Sequence, residues 1–304
     1  MKNLENISLD FLDETRKILE EGIELYENDQ IDKAVECFQK ATELEPNNEA
    51  VFRAIANFYL EERELDKAQE YCQQAIDINP KDLIALQILG NIHSSKNDYQ
   101  KGEEYYLKAL ELDSVNIDVF YNLGNLYLMQ TQYEKSLEYF LKAEKLDAKD
   151  ADILFNLANI YEFLQDINMA IEYYYRVLAI YTDAFMIWVH LGELHYNRKE
   201  YKEAEKCLKE AMKTTPEDSA IWNNLGILYL KMGKYNESIE SIEKSLEIDP
   251  KNANTWTSLA EVYEEKEEYE KALEYFKKAF ELVPKNKSYK ENIERIEKKI
   301  KKDK

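Results

Sequence analysis

The feature that most constrains this chain is an internal repeat of 34 residues. The three tryptophans, Trp188, Trp222 and Trp256, are spaced by that interval, and all five prolines are separated from one another by multiples of 34 residues. A frame that starts at residue 15 gives eight gapless units ending at residue 286. Such a period predicts one supersecondary unit per repeat, stabilised by stacking on its neighbours, instead of separate globular domains.

Each unit has the pattern of two amphipathic helices. In its first half, bulky residues recur at helical spacing, as in Trp222, Leu225 and Tyr229, and the second half repeats this, as in Tyr269 and Phe276. Positions within a unit are numbered from 1 to 34. All sixteen residues at positions 8 and 20 are Gly, Ala or Ser. Helix axes that approach within about 8–10 Å need small side chains where they cross, so these columns predict where the two helices touch.

The end of each unit carries signals for stopping one helix and starting the next. Proline at position 32 disfavours the helical conformation of the residue before it. Position 34 is Asn or Asp in seven of the eight units, including Asn48 and Asp82. We expect these side chains to act as N-caps of the helix that follows.

Together, the pattern W-x-x-L-G-x-x-Y, then A-x-x-x-F-x-x-A, then P resembles the tetratricopeptide repeat family. The resemblance implies an all-α fold, an α-solenoid in which helix-turn-helix repeats form a right-handed superhelix whose first helices line a concave groove. The expected organisation begins with an N-terminal helical extension, 1–14, and ends with a capping helix and Lys-rich tail, 287–304. Between them lie eight repeats: 15–48, 49–82, 83–116, 117–150, 151–184, 185–218, 219–252 and 253–286. Ser8 is a candidate cap for the extension, and three residues of the last segment can share one apolar helical face: Ile293, Ile296 and Ile300.

Composition excludes several classes of partner. The chain has 61 acidic and 40 basic residues, a formal charge of −21, which disfavours binding to nucleic acid and to anionic membranes. No apolar run approaches the ~20 residues needed to span a bilayer, and the start lacks the apolar core of a secretion signal. Cys37, Cys72 and Cys207 are far apart in sequence and suit reduced thiols, so we expect a cytoplasmic protein.

No motif for catalysis, cofactor binding or metal binding accompanies the three histidines. His93 and His195 occupy position 11, where the family usually has Tyr, and are expected to pack in the core, whereas His190 is expected near the inner surface. Glu264 is among the carboxylates expected to face solvent. We therefore predict a protein that is not an enzyme and needs no cofactor or metal.

In the family, positions 2, 5, 9 and 12 of each first helix face the groove, with positions 6 and 13 beside them. The candidate peptide-binding residues at these positions are Asn91, Tyr121, Asn122, Asn125, Leu128, Met129, Phe155, Asn156, Asn159, Phe163, Met186, Val189, His190 and Tyr196. The amides suit either hydrogen bonding to a peptide backbone or bonding between helices. The apolar members, which lie in repeats four to six, suit either an open ligand groove or local packing.

The expected function is that of a protein-protein interaction scaffold that binds a peptide or an amphipathic helix. The acidic charge favours a basic or neutral protein partner. Arg53 and Asn57 resemble the first pair of the family's carboxylate clamp, but Ile88 stands where the next Asn is required, so binding of chaperone tails is not predicted. Two alternatives stay open: a self-assembling structural protein, and an accessory subunit of a transferase complex.

Overall fold

A computed structural model describes residues 12–302, and the candidate cap Ser8 lies outside the described residues. Between residues 12 and 302 there are seventeen α-helices and no β-strand, which confirms the all-α prediction. The helices are α1 (Asp13–Glu27), α2 (Ile31–Leu44), α3 (Glu49–Glu61), α4 (Leu65–Ile78), α5 (Leu83–Ser95), α6 (Tyr99–Leu112), α7 (Ile117–Met129), α8 (Tyr133–Leu146), α9 (Ala151–Phe163), α10 (Ile167–Leu178), α11 (Phe185–Asn197), α12 (Tyr201–Thr214), α13 (Ser219–Lys231), α14 (Tyr235–Ile248), α15 (Ala253–Glu265), α16 (Tyr269–Leu282) and α17 (Lys287–Lys302).

The chain divides after Asp166 into two compact units. Unit 1 contains α1 to α9, and unit 2 contains α10 to α17. The division falls inside the fifth repeat of the sequence, between its two helices. Inside each unit, consecutive helices pack in pairs, and each pair packs on the next in sequence order, as in an α-solenoid.

The predicted N-caps are confirmed. Side-chain oxygens of the position 34 residues accept hydrogen bonds from backbone N–H groups in the first turn of the following helix. This holds for Asn48, Asp82, Asn116, Asp150, Asp218 and Asn252. Ala184, which precedes α11, has no side-chain oxygen and makes no such cap.

The turn inside each repeat uses a left-handed residue at position 15. Eight residues have φ between 57° and 71° there, and only one of them, Gly233, is glycine. The following amide donates to a carbonyl five residues back, as Gln132 N donates to Tyr127 O at 2.9 Å. This closes the C-terminus of the first helix and sends the chain back antiparallel.

The small residues at position 8 make room for a large side chain at position 24. A Cβ atom built on Gly90 would lie 2.6 Å from Cδ1 of Tyr106, and one on Gly124 would lie 2.6 Å from Cε2 of Phe140. Both rings are fully buried. The glycines are therefore required by close packing of a ring from the second helix on the backbone of the first.

The second helix of the fifth repeat departs from the others. α10 has 12 residues, whereas the other second helices have 14. Trp222 Nε1 donates to the carbonyl of Pro216 at 2.9 Å, but the corresponding bond from Trp188 to the carbonyl of Thr182 is 3.4 Å long. The turn between α10 and α11 is thus held less tightly than its counterparts.

The last helix packs on the final repeat. Ile296 is fully buried in the cluster formed by α14 to α16, with Ile293 and Ile300 partly buried beside it. The expectation that Glu264 faces solvent is wrong: its side chain is 9% exposed and accepts hydrogen bonds from Arg295 and from Lys299, the latter at 2.9 Å. It lies against α17, and a buried carboxylate requires such cationic partners.

Candidate functional site

The first candidate surface lies in unit 1 and consists of ten residues on three first helices. We call it the unit 1 surface: Asn91 on α5, Tyr121, Asn122, Asn125, Leu128 and Met129 on α7, and Phe155, Asn156, Asn159 and Phe163 on α9. Met129, Phe155 and Phe163 are 55%, 41% and 56% exposed. Large apolar side chains exposed on the first helices of consecutive repeats fit an interaction surface.

Two aromatic residues of this surface have one side fixed by a neighbouring ring. Tyr121 packs edge-on against the buried ring of Phe140, with centroids 5.5 Å apart. Phe163 stacks on Tyr133 at 4.8 Å with nearly parallel planes. Each ring is therefore held in place by the second helix of repeat four, and Phe163 still has more than half of its surface exposed.

The amides of this surface divide into two kinds. Asn91 accepts a 2.5 Å hydrogen bond from the hydroxyl of Tyr106 on the paired helix, and Asn156 donates to the carbonyl of Asp152 in its own helix at 2.9 Å. The side chains of Asn122 and Asn125 have no hydrogen-bond partner among residues 12–302. The sequence could not distinguish these cases, because each depends on what the opposite helix supplies.

The second candidate surface, called the unit 2 surface, consists of Met186, Val189, His190 and Tyr196 on α11. Met186 is 64% exposed, whereas Val189 and Tyr196 are partly buried against the core between α11 and α13. His190 packs edge-on against Tyr174 at 5.2 Å. Two of the predicted residues are therefore partly in the core, and Met186 is the most exposed of the four.

Sequence reasoning missed a cavity of about 250 Å³ in unit 2, which we call the α11–α13 cavity. Nine residues of α11, α12 and α13 line it: Gly192, Glu193, Tyr196, Asn197, Ala204, Leu208, Asn224, Ile227 and Leu228. One feature of the sequence could have indicated that this region differs from the other repeats. Position 9 is Asn in repeats two to five and changes to Glu193 in the sixth.

The two position 11 histidines are buried, as predicted, and each is bonded to a carboxylate five residues later. His93 Nδ1 lies 3.3 Å from Asp98, and His195 Nδ1 lies 2.7 Å from Glu200. The hydrogen bond with His195 is the main reason that the pKa of Glu200 is below its ordinary value. The hydroxyl of Tyr175 is 3.4 Å from Nε2 of His195, so both ring nitrogens are engaged within the core.

The cysteines show no sign of an activated thiol. All three are free, and burial raises the pKa of Cys72 to about 12 and that of Cys207 above its ordinary value. Nucleophilic cysteines require the opposite shift of the thiol pKa.

In the described part of the chain, no group of three or more His, Cys, Asp or Glu residues is arranged to hold a metal ion.

Arg53 is not available as a clamp cation. Its guanidinium is 2.5 Å from the carboxylate of Asp82, and both side chains are buried. Asp82 in turn caps α5. Arg53 thus links the third helix to the start of the fifth.

Among residues 12–302, no helix combines the length and the apolar character that crossing a membrane requires.

Comparison with protein families gave matches along most of the chain. Three models described as tetratricopeptide repeat match residues 25–92, residues 84–116, and three overlapping stretches, 116–183, 183–251 and 217–285. The last three together cover residues 116–285, more than half of the chain. Comparison with curated proteins gave no match.

Solved structures with the same fold include several repeat proteins. A tetratricopeptide repeat protein from Parabacteroides merdae is 21% identical, with a TM-score of 0.52, over 82% of this chain and 98% of that one. The pilF protein of Pseudomonas aeruginosa is 19% identical, with a TM-score of 0.53, over 66% and 92%. A MamA protein is 24% identical, with a TM-score of 0.51, over 57% and 94%. At these identities the likeness shows the fold alone.

Proposed function

Because this chain belongs to the tetratricopeptide repeat family, whose members are interaction scaffolds, we propose that it is a non-enzymatic scaffold that holds a peptide or an amphipathic helix on its unit 1 surface. The observation that carries the proposal is the exposure of Met129, Phe155 and Phe163 on first helices of consecutive repeats. A helix lying in a groove uses apolar anchors of this kind.

The polar part of the surface suits the backbone of such a partner. Asn122 and Asn125 are neighbours on one side of α7, and each amide can donate and accept at once. The exposed apolar side chains would supply affinity, and the amides would orient the bound segment. The formal charge of −21 supports a basic or neutral partner over an acidic one.

The test is affinity capture from the native lysate with a double variant of the unit 1 surface, Met129→Ala with Phe155→Ala. Both side chains are about half exposed. Burying the exposed half of a large apolar side chain contributes about 1 kcal/mol, so losing both should weaken capture roughly thirtyfold. Circular dichroism should show unchanged helical content, because neither side chain fills the core.

The matched control is Leu107→Ala with Leu146→Ala. These leucines are 40% and 42% exposed and lie on the second helices α6 and α8. They remove a similar apolar area from another face of the same unit, and capture should be unchanged. Equal losses from the two double variants would overturn the mapped surface, and undiminished capture by the first would do the same.

Salt dependence tests the electrostatic part separately. If the acidic charge helps to attract a basic partner, association should slow as ionic strength rises, because a Debye length of about 10 Å at 0.1 M screens long-range attraction. An association rate that does not change with salt would count against a basic partner. The cytoplasmic location expected from the cysteines stays a prediction.

One observation favours a second candidate function, self-assembly. Tyr181 and Met186, which flank the turn between α10 and α11, are 56% and 64% exposed, and Ile180 is 39% exposed. This apolar patch in unit 2 suits association of identical chains. Sedimentation over a range of concentrations separates the two functions, because an assembling protein grows with concentration and a peptide receptor stays at one mass.

A further inference from the structure

The α11–α13 cavity combines an aliphatic floor with a polar rim. Leu208 of α12 and Leu228 of α13 are buried and form its floor with the small residues Gly192 and Ala204. Its volume of about 250 Å³ is below the range of about 300–1,000 Å³ that is typical of sites for whole small molecules. It has the size to hold one long side chain of a larger ligand.

Oxygen atoms dominate the rim. Of the nine lining residues only Glu193 is charged, and among residues 12–302 its carboxylate has one ionisable basic neighbour, Nδ1 of His190 at 3.9 Å. The side chains of Asn197 and Asn224 have no hydrogen-bond partner in the described part of the chain. The cavity therefore presents one carboxylate that has no Lys or Arg partner in the described part of the chain, and two unengaged amides, around an apolar floor.

We propose that the α11–α13 cavity is a subsite for a lysine side chain of a polypeptide partner. A lysine stem is four methylenes long and packs well on aliphatic surface while its ammonium stays at the polar edge. The three donors of an ammonium match the three oxygen-bearing side chains Glu193, Asn197 and Asn224. Tyr196 also lines the cavity and adds an aromatic ring, a group that attracts cations.

The subsite rests on the proposed scaffold function, which it deepens by naming a side chain of the partner. The test uses the full chain labelled for amide NMR. The probes are blocked alanine pentapeptides whose central residue is lysine, norleucine, arginine or glutamate. The lysine peptide should shift the amides of Gly192 and Asn224 and should bind about two- to fivefold more tightly than the norleucine peptide, as expected for a partly exposed ion pair.

The variant Glu193→Gln should abolish the preference for lysine over norleucine. The control Glu217→Gln removes the same charge from an exposed turn of unit 2 and should leave the preference intact. Equal affinity for lysine and norleucine, or shifts confined to other residues, would overturn the subsite. Binding of n-butylamine as tight as that of the lysine peptide would overturn its assignment to a polypeptide.

These outcomes are distinguishable from failure of the proposed function. The peptides report on unit 2 directly, whereas Met129 and Phe155 report on the unit 1 surface. Loss of the lysine preference with capture still dependent on those two residues would remove the subsite and leave the scaffold. Lysine-dependent shifts with capture independent of those residues would support the subsite and remove the unit 1 surface.

Discussion

Asp82 offers the sharpest test of how the repeats hold together, because one carboxylate makes two kinds of contact. Its Oδ1 accepts the backbone N–H groups of Ile84 and Ala85, both at 3.0 Å, and so caps α5. Its Oδ2 is 2.5 Å from the guanidinium of Arg53, which comes from α3. Side-chain exposure is 10% for Arg53 and 4% for Asp82, so solvent screens the pair little.

The expected cost of Asp82→Ala has two parts. Losing an N-cap costs about 1 kcal/mol. Leaving a buried cation without its partner costs about 3–5 kcal/mol, so the total should be about 4–6 kcal/mol. Asp150→Ala is the matched control, since Asp150 caps α9 through the same geometry, at 2.9 and 3.0 Å, and makes no ion pair with the residues that the structure describes. It should cost about 1 kcal/mol.

The assay is urea unfolding followed by far-ultraviolet circular dichroism, with amide hydrogen exchange in α5 to locate the loss. The double variant Arg53→Met with Asp82→Ala should recover most of the stability, because it removes the stranded charge and replaces it with an apolar side chain. Equal losses from Asp82→Ala and Asp150→Ala would refute the reasoning. So would a double variant no more stable than Asp82→Ala alone.

Three further changes test the packing, the turns and the buried tyrosines. Gly90→Ala should destabilise the fold by about 1–3 kcal/mol, because the added methyl overlaps the ring of Tyr106. Gly192→Ala should cost clearly less by urea unfolding, since its methyl comes no closer than 3.0 Å to Leu208 and alanine gains about 1 kcal/mol of helix propensity; equal losses would contradict this. Thr131→Gly should raise the melting temperature, with a gain of about 0.5–1 kcal/mol, because Thr131 is β-branched and has φ of 57°; no gain would count against strain at this turn. Burial raises the pKa of Tyr106 from its ordinary value of 10.0 to about 12, so the folded state keeps a proton that the unfolded state loses, and stability is retained below pH 10 and falls as the pH rises toward 12. The contribution of Tyr106 to that fall is about 1.4 kcal/mol per pH unit, and Tyr106→Phe should show a shallower alkaline decline in urea unfolding; identical slopes would exclude Tyr106 as its source.

The helical pairs, their caps and the small residues at the helix crossings could be predicted from the sequence, because each depends on spacing along the chain. Asn48 and Asp82 cap helices since they stand just before an apolar helical stripe, and position 8, where the two helices of a repeat cross, is Gly or Ala in every repeat. The left-handed residue at position 15 was not predicted. Its side chains are varied, and the turn length alone imposes the conformation.

The candidate site was predictable only to the level of which helix face each residue occupies. Glu264 faces α17. The sequence near Glu264 does not indicate that α17 packs against it. Tyr196 and Val189 are partly in the core because neighbouring helices reach them, whereas Met129 and Met186 stay exposed.

The sequence by itself therefore determined the repeat, the helices and the face on which each side chain lies, because these follow from periodicities within a few turns of one helix. The tertiary structure decided which of those side chains remain exposed, which amides are already bonded, and where three helices leave a cavity. Exposure and hydrogen bonding depend on atoms that come from other helices, and the pattern along one helix does not specify the distance to the next.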